Sequence, residues 1–547
     1  MEIPSSIASN LHFLQVEIDS LVEKLQVFFG DVGKGNAKDI LSREGYIQNL
    51  KQRIHNSCLQ HLTQFEPGHP QITALRSIEE IASQLEDIGT LAIGCVSHVE
   101  RMSAPEVLRP TLYVPMLQHI RDALEMLEPA ISDNKSRRAL RITRFEGRLE
   151  QDCNKLKKRY IQALKNNKKQ TEDLAQALFV SQSVASMGDA LVNISEAIIS
   201  ANVGQTVSLE RYRSLQSSVE KLQRQQKVDD VKIETIAETR SGSAIAGVSS
   251  GKETDQSYLG IFKDGEKKKV KEEREGVKSW HDIYPGLAPR ILSYDKRGQS
   301  AALLIEHLPG LTFEKLALQA DDNLFAQAHD RLVETLNKVW RETLIKEPVT
   351  ADFGGQLKRR IDPVYKIHPE FNRAPSRINA LRLPAFDTLI EQATELEAKL
   401  AAPFSVYIHG DFNIDNIIYD PASQKINFID LHRSRYMDYV QDVSVFMVSN
   451  YRLQILDTPV RRRLMQSALR IHETASAFAR EQDDTSFDLR MALALARSFA
   501  SSTRFILDKA HAKGMFFRAR YLLEQALAAN PQKPEKFTLT VREMFIA

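Results

Sequence analysis

The stretch Val406-Tyr407-Ile408-His409-Gly410-Asp411-Phe412-Asn413-Ile414-Asp415-Asn416, answered downstream by Asn427-Phe428-Ile429-Asp430, decides how the C-terminal half of this chain is read. Each part begins as a short apolar run and ends in polar, oxygen-bearing side chains. Short apolar runs bounded by polar residues read as strands. Two strand ends would then present Asp411, Asn416 and Asp430 to one cleft. Carboxylate and amide oxygens in such an arrangement are what phosphoryl transfer requires. A carboxylate orients the attacking hydroxyl and takes its proton, and oxygen ligands hold Mg ions against the phosphates.

Working outward, the residues before this stretch suggest a small sheet followed by helices. Val231 to Thr239 alternates as an edge strand would, and Arg240-Ser241-Gly242-Ser243-Ala244 reads as a turn. Ala244 to Val248, Tyr258 to Phe262 and Ala302 to Ile305 read as further strands, with a charged helix from Lys267 to His281 and mainly helices after Glu314. A small sheet with a helical body is the two-lobed kinase layout. Lys267-Lys268-Lys269 reads as a solvated helix face, and Arg461-Arg462-Arg463 as a surface run.

The first part of the chain has a different rhythm. Leu11, Leu14, Ile18, Leu21, Leu25 and Phe28 recur every three or four residues, as on one face of a helix. Ile47, Leu50, Ile54, Cys58 and Leu62 do the same, and so do Ile78, Ile81, Leu85 and Ile88. The pattern repeats weakly: segments around 46–54 and 83–94 have counterparts around 145–156 and 183–194. Two helical units of about a hundred residues, each a three-helix bundle, are the simplest reading. A polar, Gln/Lys-rich segment near Gln216 to Lys232 separates this part from the next.

Composition sets limits. The 547 residues exceed one ordinary core, and the 42% apolar share argues against global disorder. A formal net charge of +2 gives no single-sign field for nucleic acid. Three cysteines, Cys58, Cys95 and Cys153, form no metal-like cluster and suit a reducing compartment. Met1-Glu2-Ile3-Pro4 lacks a basic segment before an apolar run, and no apolar stretch approaches the roughly 20 residues of a spanning helix. A cytoplasmic location is expected.

The His-x-Asp-x-x-x-x-Asn loop followed by Ile-Asp resembles the aminoglycoside phosphotransferase and choline kinase-like family, over about 230 to 530. The resemblance implies Asp411 as catalytic base and Asn416 and Asp430 as Mg ligands, with ATP and Mg2+ as cofactors. His409, Asp438 and Asp442 would support them, the two aspartates by bracing the catalytic loop. The usual Trp after the metal Asp is Leu431 here, and the Gly before the next Asp is Met437. Lys263 falls at the phosphate-binding lysine, at the end of its strand. Glu273 and Glu275 compete to pair with it, and Glu273 is preferred. Glu306, His307 and Leu308 fit the connection between lobes, where backbone groups meet adenine. Arg240-Ser241-Gly242-Ser243 could cover phosphates or be a plain hairpin turn.

Residues 8 to 210 resemble the two repeats of PhoU-type phosphate-regulatory proteins, through the strings Leu85-Glu86-Asp87-Ile88-Gly89 and Met187-Gly188-Asp189-Ala190. Metal binding in that family uses acidic pairs four apart on a helix face. Here Glu86 faces Thr90 and Asp189 faces Ala185, so no metal is expected.

The fold expected is thus multidomain: an all-α PhoU-like bundle of two repeats over 1–215, a linker over 216–230, and an α+β two-lobed kinase domain over 231–547. The function expected is transfer of the ATP γ-phosphate to a hydroxyl of a small molecule, with possible regulation, a protein partner or self-association through the helical half. The alternative is a phosphate-linked regulator whose kinase-like domain senses nucleotide. Arg504, Lys509, His511 and Arg518 are expected at the acceptor side, where no acidic cluster suited to a polycation is evident.

Overall fold

The computed structural model describes residues 3–30, 37–66, 69–132, 136–166, 168–203, 231–238, 244–250, 258–297 and 300–546, together with Val207, Leu209 and Tyr212. It divides into two compact units, Met1–Ser257 and Tyr258–Ala547. The segment expected as a linker and the Arg240-Ser241-Gly242-Ser243 turn lie outside the described residues.

The first unit is built on six long helices: α1 (Ser5–Gly30), α2 (Glu44–Leu62), α3 (Pro70–Glu100), α4 (Pro110–Glu125), α5 (Ser136–Asn166) and α6 (Thr171–Val203). The apolar periodicity lands as expected. Leu11, Leu14, Ile18, Leu21, Leu25 and Phe28 are all buried in α1, and Ile78, Ile81, Leu85 and Ile88 in α3. Two groups of three helices follow one another, but they do not keep separate cores. α3 and α6 pack along each other, and one continuous apolar cluster runs through both groups. The matching glycines of the two repeats sit at close approaches. A Cβ on Gly89 would stand 2.8 Å from Ile18 Cδ1, and one on Gly188 would stand 2.9 Å from Leu149 Cδ2. Glu86 is ion-paired to Lys51 at 2.7 Å, which occupies it within the bundle. The strands β1 (Val231–Glu238) and β2 (Ala244–Ser250) pair antiparallel, with Val231 opposite Ser250.

The second unit opens with β3 (Tyr258–Glu266), helix α7 (Lys267–Ile283), β4 (Ile291–Arg297) and β5 (Ser300–Glu306). β5 lies between β3 and β4, antiparallel to both. Val270 of α7 joins Ala301, Leu303 and Ile305 in a small apolar cluster that seats the helix on the sheet. Lys263 lies inside β3 rather than at its end, because the strand continues to Glu266.

The larger lobe is mostly helical: α8 (Phe313–Gln319), α9 (Asp322–Glu342), α10 (Phe353–Ile367), α11 (Phe386–Glu397), α12 (Val440–Tyr451), α13 (Thr458–Glu481), α14 (Phe487–Ser502) and α15 (Lys509–Ala528). Aspartates start several of them, with Asp321, Asp457 and Asp508 accepting the amides of Leu324, Val460 and His511. α12 is buried over its whole length, and its polar residues, among them Asp442, Ser449 and Asn450, are hydrogen-bonded to backbone groups. Inserted before it are short strands: β6 (Leu311–Thr312), a hairpin of β7 (Ser376–Ile378) and β8 (Leu381–Leu383), then β9 (Val406–Ile408), β10 (Ile417–Asp420), β11 (Lys425–Phe428) and β12 (Arg435–Met437). β10 pairs with β11 and β6, and β9 pairs with β12.

The Arg461 to Arg463 run corrects one expectation. Arg461 donates to the carbonyls of Tyr451 and Leu453, and Arg463 to those of Ala317 and Ala320. These two arginines brace chain ends inside the lobe, where orphan carbonyls need donors, and only Arg462 is a plain surface residue.

Candidate active site

Two loops meet at the site. One joins β9 to β10 and holds residues 409–416. The other joins β11 to β12 and holds residues 429–434. They are stitched by the backbone, with Ile429 N donating to Asn416 O at 3.0 Å. Gly410 has φ +83°, and a Cβ there would stand 2.3 Å from Arg433 O. Only glycine lets the two loops come this close at that conformation.

His409 is the pin of the first loop. Its Nε2 donates to Ile429 O at 2.8 Å and its Nδ1 accepts from Asp411 N at 3.2 Å. Those two bonds need one protonated and one bare nitrogen, so the ring is neutral. Burial pushes its pKa down to about 4, consistent with that form. Phe412 and Phe428 pack edge-on against it. Below the loop, Asp442 accepts from His409 N at 2.7 Å and Gly410 N at 2.8 Å. Burial pushes the Asp442 carboxyl up to about 7, although the two amides act to lower it.

Asp411 is partly exposed, with Asn413 Nδ2 at 2.8 Å from one carboxylate oxygen and Arg433 at 3.0 Å from the other. Asn416 Nδ2 donates to Asp411 O at 2.9 Å, which fixes the amide so that its oxygen faces away from that bond. Asp430 has φ +61°, a conformation an aspartate tolerates better than most residues. Lys263 reaches across from β3 and is hydrogen-bonded to Asp430, and to Glu273 at 3.1 Å. The Lys263 ammonium holds the Asp430 carboxyl below its ordinary value. Burial alone would lower the lysine's pKa, but Asp430 and Glu273 outweigh it and raise it. His432 lies 3.8 Å from the other Glu273 oxygen.

The lysine's partner is therefore Glu273. Glu275 turns outward and pairs with Arg274 at 3.1 Å. Helix α7 is held on the second loop at several points. A Cβ on Gly276 would stand 1.9 Å from Leu431 O. Trp280 Nε1 donates to Ser434 Oγ at 2.8 Å, and Ser434 Oγ donates on to His409 O at 3.1 Å.

Other expected residues lie elsewhere or act differently. Asp438 does not touch the catalytic loop. It caps α12 through Val440 N at 3.1 Å and is ion-paired, fully buried, with Arg490, which also holds Asp484. The reason is local: Asp438 follows β12 on the side facing α14, while Asp442, a turn further along α12, faces the loop. Glu306 is clasped by Arg290, with Nη2 at 2.9 Å and Nε at 3.0 Å, and its own amide donates to Arg290 O at 2.8 Å. His307 is half-buried and burial lowers its pKa. Leu308 follows directly at the end of the strand. Of the four residues expected at the acceptor side, Arg518 bonds Met544 O and Gly514 O, and His511 stacks on Tyr451, so both are structural. Lys509 is exposed at the start of α15, and Arg504 alone lies near Asp411.

Two lobes, a paired lysine and glutamate, and a loop carrying Asp411 and Asn416 opposite Asp430 define the class as a kinase-like phosphotransferase. Residues 279–482, within the second unit, match the model of the phosphotransferase enzyme family. No curated protein matches the chain. Among solved structures, the phosphate transport system regulatory protein PhoU from Streptococcus pneumoniae is similar at 19% identity, over 37% of this chain and 96% of that one, with a TM-score of 0.34. An ethanolamine kinase from Plasmodium vivax is similar at 13% identity, over 60% of this chain and 91% of that one, with a TM-score of 0.36. An aminoglycoside-3'-phosphotransferase of type VIII is similar at 14% identity, over 57% and 99%, with a TM-score of 0.30. Among the described residues, no helix is long and apolar enough to cross a membrane.

Proposed function

We propose that this protein is an ATP-dependent small-molecule kinase of the aminoglycoside phosphotransferase type, with its catalytic domain over 231–547 and a PhoU-like regulatory domain over 1–215. The observation that supports it most is the union of Asp411, Asn416 and Asp430 in one cleft, with Lys263 drawn onto Asp430 and Glu273.

The donor set suits Mg. Asn416 and Asp430 offer one amide and one carboxylate oxygen, few enough that phosphate oxygens and water would complete the shell. The Lys263 ammonium beside Asp430 marks the place as one that favours a cation. Bound there, Mg would neutralise the β- and γ-phosphates. Lys263, steadied by Glu273, holds the phosphates. Asp411 orients the acceptor hydroxyl and takes its proton as the acceptor oxygen bonds to Pγ. The bond from Pγ to the β,γ-bridging oxygen breaks, and its electron pair leaves with ADP. His409 and Asp442 keep the loop in place through backbone bonds and touch no reacting atom. The Glu306-His307-Leu308 connection would meet adenine through its backbone.

ADP release by the full chain with Mg-ATP and hydroxylated metabolites tests this reading. Turnover lost in Asp411→Asn with the fold retained supports it. Turnover unchanged in that variant overturns it.

A further inference from the structure

Around Asp411 the chain gathers positive charge. Arg360 comes from the middle of α10, Arg497 from α14, Arg504 from the turn that follows it, and Arg433 from the loop after Asp430. Three of these have no acidic partner: among the described residues, no carboxylate lies within ion-pair distance of Arg360, Arg497 or Arg504. Arg497 is 3% exposed, its guanidinium lies over the Phe353 ring at 5.6 Å, and among the described residues that guanidinium donates one long hydrogen bond of 3.4 Å, to Ser444 Oγ. The Nε atoms of Arg497 and Arg504 are buried without any partner. Glu397, whose charge reaches Arg497, makes no ion pair with it and instead accepts from the amides of Phe353 and Gly354 at 2.8 and 2.9 Å.

Guanidinium groups stay charged in proteins, and burying unpaired charge is costly. Here the cost is compounded, because the arginines repel one another. Burial and then Arg360 push the Arg497 pKa down to about 9, and Arg360 and Arg504 are lowered by burial and by Arg433. The charge of Asp411 opposes this at all three. Asp411, with Glu397 acting on Arg497 alone, faces four guanidiniums and leaves the site short of negative charge. The charge that acts most on Asp430 instead comes from Lys263, which is bonded to it, so the nucleotide side has its own cation.

We infer that the acceptor of this kinase is a small hydroxylated anion, bearing a phosphate monoester or a carboxylate, bound by Arg360, Arg497 and Arg504 with its hydroxyl at Asp411. This rests on the kinase reading above and names its substrate class. Planar guanidinium forks suit both anions, because each can accept paired N–H bonds. The same charges exclude cationic acceptors such as aminoglycosides and choline by repulsion. The anion also frees the base. Arg433 holds Asp411 at rest, and an incoming phosphate or carboxylate competes for that guanidinium. The transfer itself is unchanged: the acceptor oxygen bonds to Pγ, the proton passes to Asp411, and ADP leaves.

The test uses the full chain with Mg-ADP and matched probes in calorimetry: glucose 6-phosphate, gluconate, glucose and glucosamine, with kanamycin and choline as cations. ADP release from Mg-ATP is followed separately with the same probes. An anion should bind at least about tenfold more tightly than its neutral parent, a difference of ~1.4 kcal/mol. The phosphate and carboxylate arms show which anion is preferred. The Arg360→Gln/Arg504→Gln pair should erase that preference and leave Mg-ATP affinity intact, with the tryptophan melt as the folding check. Equal or better binding of neutral or cationic probes overturns the inference, as does a preference that survives the double variant, or no anion binding at all. Anion binding without any probe-dependent ADP release sustains the anion site and counts against the kinase reading instead.

Discussion

Asp442 holds the amides of His409 and Gly410 with one carboxylate oxygen each, at 2.7 and 2.8 Å. It thereby sets the direction in which the chain enters the turn that carries Asp411. Asp442→Asn keeps the shape but places an amide NH2 against one of the two backbone donors. Leaving that donor unsatisfied should cost about 1–3 kcal/mol. Urea melts should show the loss. Turnover should fall with it while Mg-ATP affinity changes less. A variant as stable as the parent would show that the two bonds do not set the loop.

Asp411→Asn separates chemistry from structure. The asparagine can still accept from Asn413 but has no basicity. Turnover should fall by roughly 10²–10⁴-fold, the range for loss of a general base. The ion pair with Arg433 is partly exposed and worth little, but the lost charge also offsets Arg360, Arg497 and Arg504, so a modest drop in melting point should accompany the loss of turnover. A lower melting point with near-normal turnover would assign Asp411 to turn capping.

Asp430→Ala tests the metal assignment. Mg-dependent nucleotide binding should disappear, and Lys263 should keep Glu273 as its partner at the sheet. Titrating MgCl2 into protein with a fluorescent ATP analogue measures this directly. An unchanged Mg dependence would move the metal elsewhere.

His329 should give the second unit an acid-sensitive stability. It is 2% exposed, ringed by Phe313, Phe325 and Phe446, and burial pushes its pKa down to about 4. Its neutral form is required in the fold, so its contribution is present above the unfolded value near 6.5 and is lost as pH falls toward 4. His329→Gln can still donate to Ser467 O but cannot be protonated. Its stability deficit relative to the parent should shrink by about 2 kcal/mol between pH 7 and pH 5. The chain's two tryptophans, Trp280 and Trp340, are both buried in the second unit, so their fluorescence reports its unfolding. A deficit independent of pH would refute the assignment.

Brief trypsin treatment should cut between 216 and 257, where Lys221, Arg224, Lys227 and Lys232 offer sites, and release two stable fragments. Cuts scattered through both units would argue for a different division.

The sequence exposed those parts of the site that lie close along the chain. Asp411 and Asn416 share one loop, and Asp430 ends the next strand but one, so spacing alone grouped them. Lys263 and its glutamate were expected through the family resemblance, which preferred Glu273 over Glu275, and the ion pairs agree with that preference. The arginines were not legible as a set. Arg360, Arg433, Arg497 and Arg504 come from separate helices and loops, and only the packing of α10 against α14 brings them together. Only Arg504 was expected near the acceptor. Asp438 was misread because position along the chain does not say which side of β12 it faces. In the first unit, periodicity gave the helices and their buried faces. It could not show that the two repeats merge into one core, since that depends on which helix faces meet.

Gly276 has a wider consequence. With Leu431 O where a side chain would be, and with Trp280 tied through Ser434 to His409, the helix bearing Glu273 is geared to both loops at once. The helix has no room to slide over its neighbour, so a push on it is passed on without slack. Displacing it parts Glu273 from Lys263, tilts Asp430 and shifts the carbonyl of His409 in one movement. On the kinase reading proposed above, the lysine that would hold nucleotide and the loop that carries Asp411 would therefore shift together when this helix moves.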